Sequence, residues 1–168
     1  MARRLAGAAV AGAALASASG CTVPVDAVSG ISVTEDGRLL GVIAVCGHRI
    51  DGATLYVDGR DPDDTPTVGD WVADRPVTSG VATWTLDAPS PGWSTRKSLA
   101  PLASGTTYTL YGWTKDNSWS AADVTFKGAD RKRLTPGTVR YDEISDNGDA
   151  IPVTVPMARF KAKACADE

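Results

Sequence analysis

Asp36-Gly37-Arg38-Leu39-Leu40-Gly41-Val42-Ile43-Ala44-Val45 sets the fold class of this chain. Its last seven residues are apolar on both alternating parities. As a strand they need cover on both faces, which places them centrally and not at an edge. The Asp36-Gly37 pair separates this run from Ile31-Ser32-Val33. Asp-Gly between apolar strands signals a hairpin, because a type I′ turn needs positive φ at both central positions. Downstream, Asp51-Gly52 reads as a turn ahead of Ala53-Thr54-Leu55-Tyr56-Val57, and Asp58-Gly59 ends that strand.

The rest of the chain repeats the pattern. Val81-Ala82-Thr83-Trp84-Thr85-Leu86 puts Ala82, Trp84 and Leu86 on one face and two threonines on the other. Residues 106–114 place Tyr108 and Leu110 on one face, Tyr111 and Trp113 on the other. Val124 with Phe126, Val139 with Tyr141, and Val153 with Val155 continue the series, and residues 160–165 read as a closing strand. No segment carries a helical period over ten or more residues. Short strands separated by Gly, Pro, Asp and Asn predict an all-β fold, an antiparallel β-sandwich.

One stretch resembles a known family. Leu102-Ala103-Ser104-Gly105-Thr106-Thr107-Tyr108-Thr109-Leu110 looks like the turn into the penultimate strand of a fibronectin type III or immunoglobulin-like domain. In those domains the tyrosine phenol bonds back to nearby backbone, a role the resemblance gives to Tyr108. The loop Lys115-Asp116-Asn117-Ser118-Trp119-Ser120 and the strand Ala122-Asp123-Val124-Thr125-Phe126 extend the likeness. A domain of that kind ends near Phe126, so the later residues form a C-terminal extension, with an extra hairpin expected around Asp146-Asn147-Gly148. The likeness implies a fold and no function.

The N-terminus carries a destination. Arg3-Arg4 precede the weakly apolar run Leu5-Ala6-Gly7-Ala8-Ala9-Val10-Ala11-Gly12-Ala13-Ala14-Leu15, and small residues lead into Ala18-Ser19-Gly20-Cys21. That order marks a removable export signal over residues 1–20. The junction resembles the lipobox of bacterial lipoproteins, in which the cysteine is acylated and the chain is cut just before it. The competing reading is cleavage after Ala16-Ser17-Ala18 and free secretion. The arginine pair is also similar to part of a twin-arginine signal, so the export route stays open. Residues 21–30 read as a spacer and residues 31–168 as the sandwich domain. The Ala/Gly/Asp/Val-rich composition suggests a high-GC, actinomycete-like source.

Three cysteines, Cys21, Cys46 and Cys165, bear on that choice. Free secretion leaves an odd number in an oxidising compartment, whereas acylating Cys21 leaves two for a Cys46–Cys165 disulfide. Closing so long a loop contributes about 4 kcal/mol in the chain-entropy model. Parity counts against the pairing: on a closing strand Cys165 shares the polar face of Arg159, Lys161 and Lys163.

Removing the first 20 of 168 residues leaves 148, and the formal charge of −3 becomes −5 as both arginines leave. A mildly acidic domain argues against nucleic acid and anionic headgroups as partners. No later stretch has the length of a membrane span, so attachment runs through Cys21, and two or more acyl chains give stable anchoring. Chemistry-bearing motifs are sparse. His48 is the one histidine; a zinc site of Cys46, His48 and Cys165 lacks four-ligand spacing, and no G-x-S-x-G elbow accompanies His48 as a base. No acidic pair stands out for glycoside hydrolysis. The run Asp58-Gly59-Arg60-Asp61-Pro62-Asp63-Asp64 departs from calcium-loop spacing and reads as a solvated turn, and Arg131-Lys132-Arg133 is too short for a nucleic-acid footprint.

Trp71, Trp93 and Trp119 lie in Pro/Gly/Ser-rich, loop-like context, where they either cap the sandwich or contact a ligand. The expected binding loop is Lys115, Asp116, Asn117 and Trp119. The expectation is a membrane-anchored lipoprotein whose sandwich is a non-enzymatic binding or scaffolding module for an envelope protein or glycan, with no metal or other cofactor. The alternatives are an envelope hydrolase with an acidic pair, or a carbohydrate-binding module using the loop tryptophans.

Overall fold

The Leu39–Val45 strand, β2, lies between two apolar layers, as its two parities require. In the computed structural model, which describes residues 23–59 and 65–166, β2 pairs antiparallel with β1 (Val25–Val33) on one side and β5 (Gly80–Thr85) on the other. Leu39, Ile43 and Val45 enter the main core; Val42 and Ala44 face a second cluster. Gly41 is glycine because the Trp84 ring lies against it, where a Cβ would come within 2.4 Å. The expected export signal over residues 1–20, Cys21 and most of the acidic run lie outside the described residues.

The second sheet contains β3 (Ile50–Val57), β4 (Thr67–Val77), β6 (Trp93–Lys97), β7 (Thr107–Trp113) and β9 (Val124–Lys127), in the order β9-β7-β3-β4-β6. The three-residue β8 (Ser120–Ala122) joins the two sheets: it runs antiparallel to β7 and parallel to β1. The sandwich thus curls into a nearly closed barrel, and the wholly antiparallel expectation fails at this seam. Between the sheets sit Ile31, Ile43, Leu55, Trp71, Trp84 and Leu110, each at most 1% exposed. The Tyr108 phenol accepts the Ala103 N–H at 2.9 Å, five residues upstream.

Several expectations change. At Asp36-Gly37 only Gly37 has positive φ, 78°, and its N–H bonds the Thr34 carbonyl; this is a longer hairpin loop with a left-handed glycine, not a two-residue type I′ turn. Asp51-Gly52 is not a turn but part of β3. Gly52 lies beneath the Trp113 ring, and the Asp51 carboxylate accepts the Lys115 N–H at 2.9 Å. The spacer expected over residues 21–30 gives way to strand from Val25 onward. Its small residues answer to crowding, since a Cβ on Gly30 would meet Val139 at 2.5 Å. Trp71 and Trp93 are not loop residues. Trp71 is buried on β4, and Trp93 on β6 stacks on Trp84 at 4.2 Å.

The C-terminal extension is a hairpin followed by a helix. β10 (Thr138–Ile144) and β11 (Ala150–Pro156) flank the expected turn, where Gly148 takes φ 83°. β10 continues the first sheet beyond β1. Pro152 and Pro156 share a parity on the outermost strand, so the N–H groups they lack are missing from its free edge, which blunts pairing with another chain. Residues 157–164 form helix α1 (Met157–Ala164) where a strand was expected. Eight residues make barely two turns, too few to register as a period. Phe160 is fully buried against Tyr141, ring centroids 5.2 Å apart, and α1 covers the outer face of the first sheet. On a helix the parity objection to Cys165 lapses, and Cys46 and Cys165 form a disulfide with Cα atoms 5.4 Å apart.

Candidate ligand-binding site

The expected loop is held by its own side chains. The Thr114 hydroxyl accepts the Trp119 N–H, the Thr114 N–H bonds the Trp119 carbonyl, and Asn117 takes φ 55° at the tip. The Asp116 carboxylate accepts the Ser118 hydroxyl at 2.7 Å and pairs with Arg49 at 2.7 Å. The Ser118 hydroxyl and N–H, then Thr114 and the Arg49 charge, outweigh the effect of burial and hold its pKa down at about 2. Lys115 is exposed, and its backbone is tied to Asp51. Trp119 is half-buried and stacks on His48 with ring centroids 3.6 Å apart. His48 Nδ1 in turn contacts the Asp26 carboxylate.

An imidazole oriented by a carboxylate is half of a nucleophile-activating system. Among the described residues no hydroxyl or thiol is hydrogen-bonded to the other ring nitrogen. The sulfurs that a zinc site with His48 would need are joined to each other. No group of three or more His, Cys, Asp or Glu suited to a metal occurs among the described residues.

A concavity lies beside this loop, on the outer face of β3 and β7. It is an open groove of about 770 Å³, lined by Thr54, Tyr56, Tyr111, Trp113, Asn117 and Asp123 among others. Of the expected loop residues only Asn117 lines it; Lys115, Asp116 and Trp119 do not. Strand parity builds this face. Tyr108 and Leu110 of β7 point into the core, so Tyr111 and Trp113 point out, and register sets Tyr111 beside Thr54 and Trp113 beside Gly52. Tyr56 and Tyr111 meet edge to face at 5.9 Å. The Trp113 indole N–H donates to the Thr54 hydroxyl at 2.9 Å, and the Arg96 guanidinium lies 5.7 Å from the Trp113 ring centre. Burial pushes the Tyr56 phenol up, so it stays a neutral donor at physiological pH.

Sequence reading separated Tyr111 and Trp113 from the core face but did not single them out as a site. The available signal was two large aromatics on the outward parity of a strand whose inward parity was already apolar. Tyr56 and Thr54 needed the β3–β7 pairing to be placed beside them. At the opposite end, the basic turn is spent on structure. Arg133 and Arg140 both pair with Asp130, and Arg131 donates to the Gly37 carbonyl at 2.6 Å. Burial raises the Asp130 pKa, but the Lys127 N–H and the two guanidinium groups outweigh it and hold it at about 2.

The chain matches no protein-family model, no curated protein and no solved structure in these comparisons.

Proposed function

We propose that this is an exported, lipid-anchored binding protein with an immunoglobulin-like sandwich, and that the groove over β3 and β7 takes a saccharide chain of the cell envelope. The groove carries the reading. Half-exposed aromatic rings offer flat apolar surface to the C–H face of a sugar ring, while Thr54, Asn117 and Asp123 supply donors and acceptors for its hydroxyls. An open, sheet-wide surface suits an extended ligand better than an enclosed small molecule.

Support for the immunoglobulin-like assignment comes from β1-β2-β5 packing against β3-β7 and from the Tyr108–Ala103 bond. Support for export comes from the disulfide, since such bonds persist outside the cytoplasm. Because that bond consumes Cys46 and Cys165, Cys21 is the odd cysteine, and acylation accounts for it. Among the described residues no nucleophile completes the His48–Asp26 pair, which favours binding without turnover.

Calorimetric titration with soluble envelope polysaccharide fragments tests the ligand class. Binding should be saturable and weakened about tenfold or more by Tyr111→Ala, the loss typical of a central aromatic contact. Absence of saccharide binding, or binding that Tyr111→Ala leaves unchanged, would count against it.

A further inference from the structure

We infer that the end of the sandwich bearing residues 46–49 and the 114–120 loop is a membrane-seating surface, resting on the phospholipid headgroups of the bilayer that holds the anchor. The inference rests on the acylation of Cys21 proposed above. Only Thr22 separates Cys21 from Val23, and two residue steps span at most about 7 Å. From Pro24 the chain is pinned. The Pro24 carbonyl accepts the Ser120 N–H at 2.9 Å, and Val25 pairs with Ser120. No free spacer intervenes between anchor and fold, so the bilayer must lie at the end where β1 begins.

The chemistry of that end suits the headgroup layer. Trp119 is amphipathic and half-buried, a residue type enriched at membrane–water interfaces. Beside it stand His48 with its side chain 52% exposed, Arg49 at 44%, and an exposed Lys115. Three carboxylates share this end, but all are engaged: Asp26 with His48, Asp51 and Asp116 with Arg49. Lys115 makes no ion pair among the described residues, leaving its ammonium for a lipid phosphate. Val25, 44% exposed, adds apolar surface at the same place. Arg49 is shared by two carboxylates, so this end has no net positive charge, and its seating rests on the short tether from Cys21 together with Trp119, Val25 and the Lys115 ammonium. The groove would then rise from the headgroups along the side of the domain, since Val23 and Asn117 line one end of it and Thr67 the other.

Depth-dependent quenching of the acylated full-length protein tests this. A genetically encoded fluorescent amino acid is placed at Lys115 in one sample and at Glu35, in the β1–β2 turn, in another. Each is reconstituted into phosphatidylcholine–phosphatidylglycerol vesicles containing a headgroup-spin-labelled lipid. The label at 115 should lose most of its fluorescence and the label at 35 almost none. Equal quenching, or greater quenching at 35, on protein whose Cys21 peptide carries the diacylglyceryl mass would overturn the seating alone. An unmodified Cys21 in that peptide would overturn the anchor, and the seating with it.

Discussion

Across the outer face of β2, which carries Val42 and Ala44, lies helix α1; across the outer face of β7, which carries Tyr111 and Trp113, lies no element of the described residues. The two sheets share one core but treat their outer faces differently. Val42 and Ala44 have no hydrogen-bonding capacity in their side chains, so leaving them in water forfeits about 25 cal/mol per Å² of apolar surface. The C-terminal extension removes that exposure with Phe160, and the disulfide fastens its end. Tyr56, Tyr111 and Trp113 carry polar groups at the rim and remain half-exposed. A strand that is apolar on both parities calls for cover from its own chain, whereas an aromatic and hydroxyl-bearing outer face leaves room for a ligand.

The contrast can be broken most forcefully at the covered face. Phe160→Ala empties a fully buried site and should cost about 3–5 kcal/mol in denaturant unfolding, with saccharide binding retained at temperatures where the variant is folded. Replacing both Cys46 and Cys165 by serine should cost about 4–5 kcal/mol in the chain-entropy account. A loss under 1 kcal/mol from either change would mean that α1 is an appendage and not the second face of the core.

A pH titration sharpens the same side. Asp130 ties the turn after β9 to Arg140 of β10, and its folded pKa of about 2 lies below the ordinary 3.8. A depressed carboxylate contributes stability that is complete above the unfolded pKa. That contribution should fade as pH falls from about 4 towards 2. Asp130→Asn should flatten this part of the stability–pH profile; an unchanged slope would show that other carboxylates carry it.

The smallest stability effects belong to the open side. Tyr111→Ala should shift unfolding by about 1 kcal/mol or less while weakening ligand capture. Trp119→Ala removes the stack on His48, worth about 0.5–1.5 kcal/mol, and should leave groove binding nearly intact. Loss of several kcal/mol from Trp119→Ala would mean that the loop is core.

Much of the covered face was legible. The double parity of residues 39–45 demanded a second layer, and Asp146-Asn147-Gly148 marked the hairpin that helps build it. The helix was not, because eight residues give no period and Arg159, Lys161 and Lys163 alternate as they would on a strand. Trp71 was misplaced because register shifts interrupt β4, obscuring a period of two, and Trp93 because it opens the short β6, whose remaining residues are all polar and exposed. The parallel seam escaped notice because β8 has only three residues. Of the groove, only the outward pair on β7 could be read. Thr54 and Trp113, 59 residues apart, become partners through strand pairing that local pattern does not encode.

Amide chemical-shift mapping during titration with envelope polysaccharide fragments tests the central claim most directly, because it reads both outer faces in one experiment. Saturable shifts are expected at Thr54, Tyr56, Tyr111 and Trp113, with Met157–Ala164 unmoved. Shifts confined to α1 or to the Lys115 and Trp119 amides, or none at saturating ligand, would contradict it.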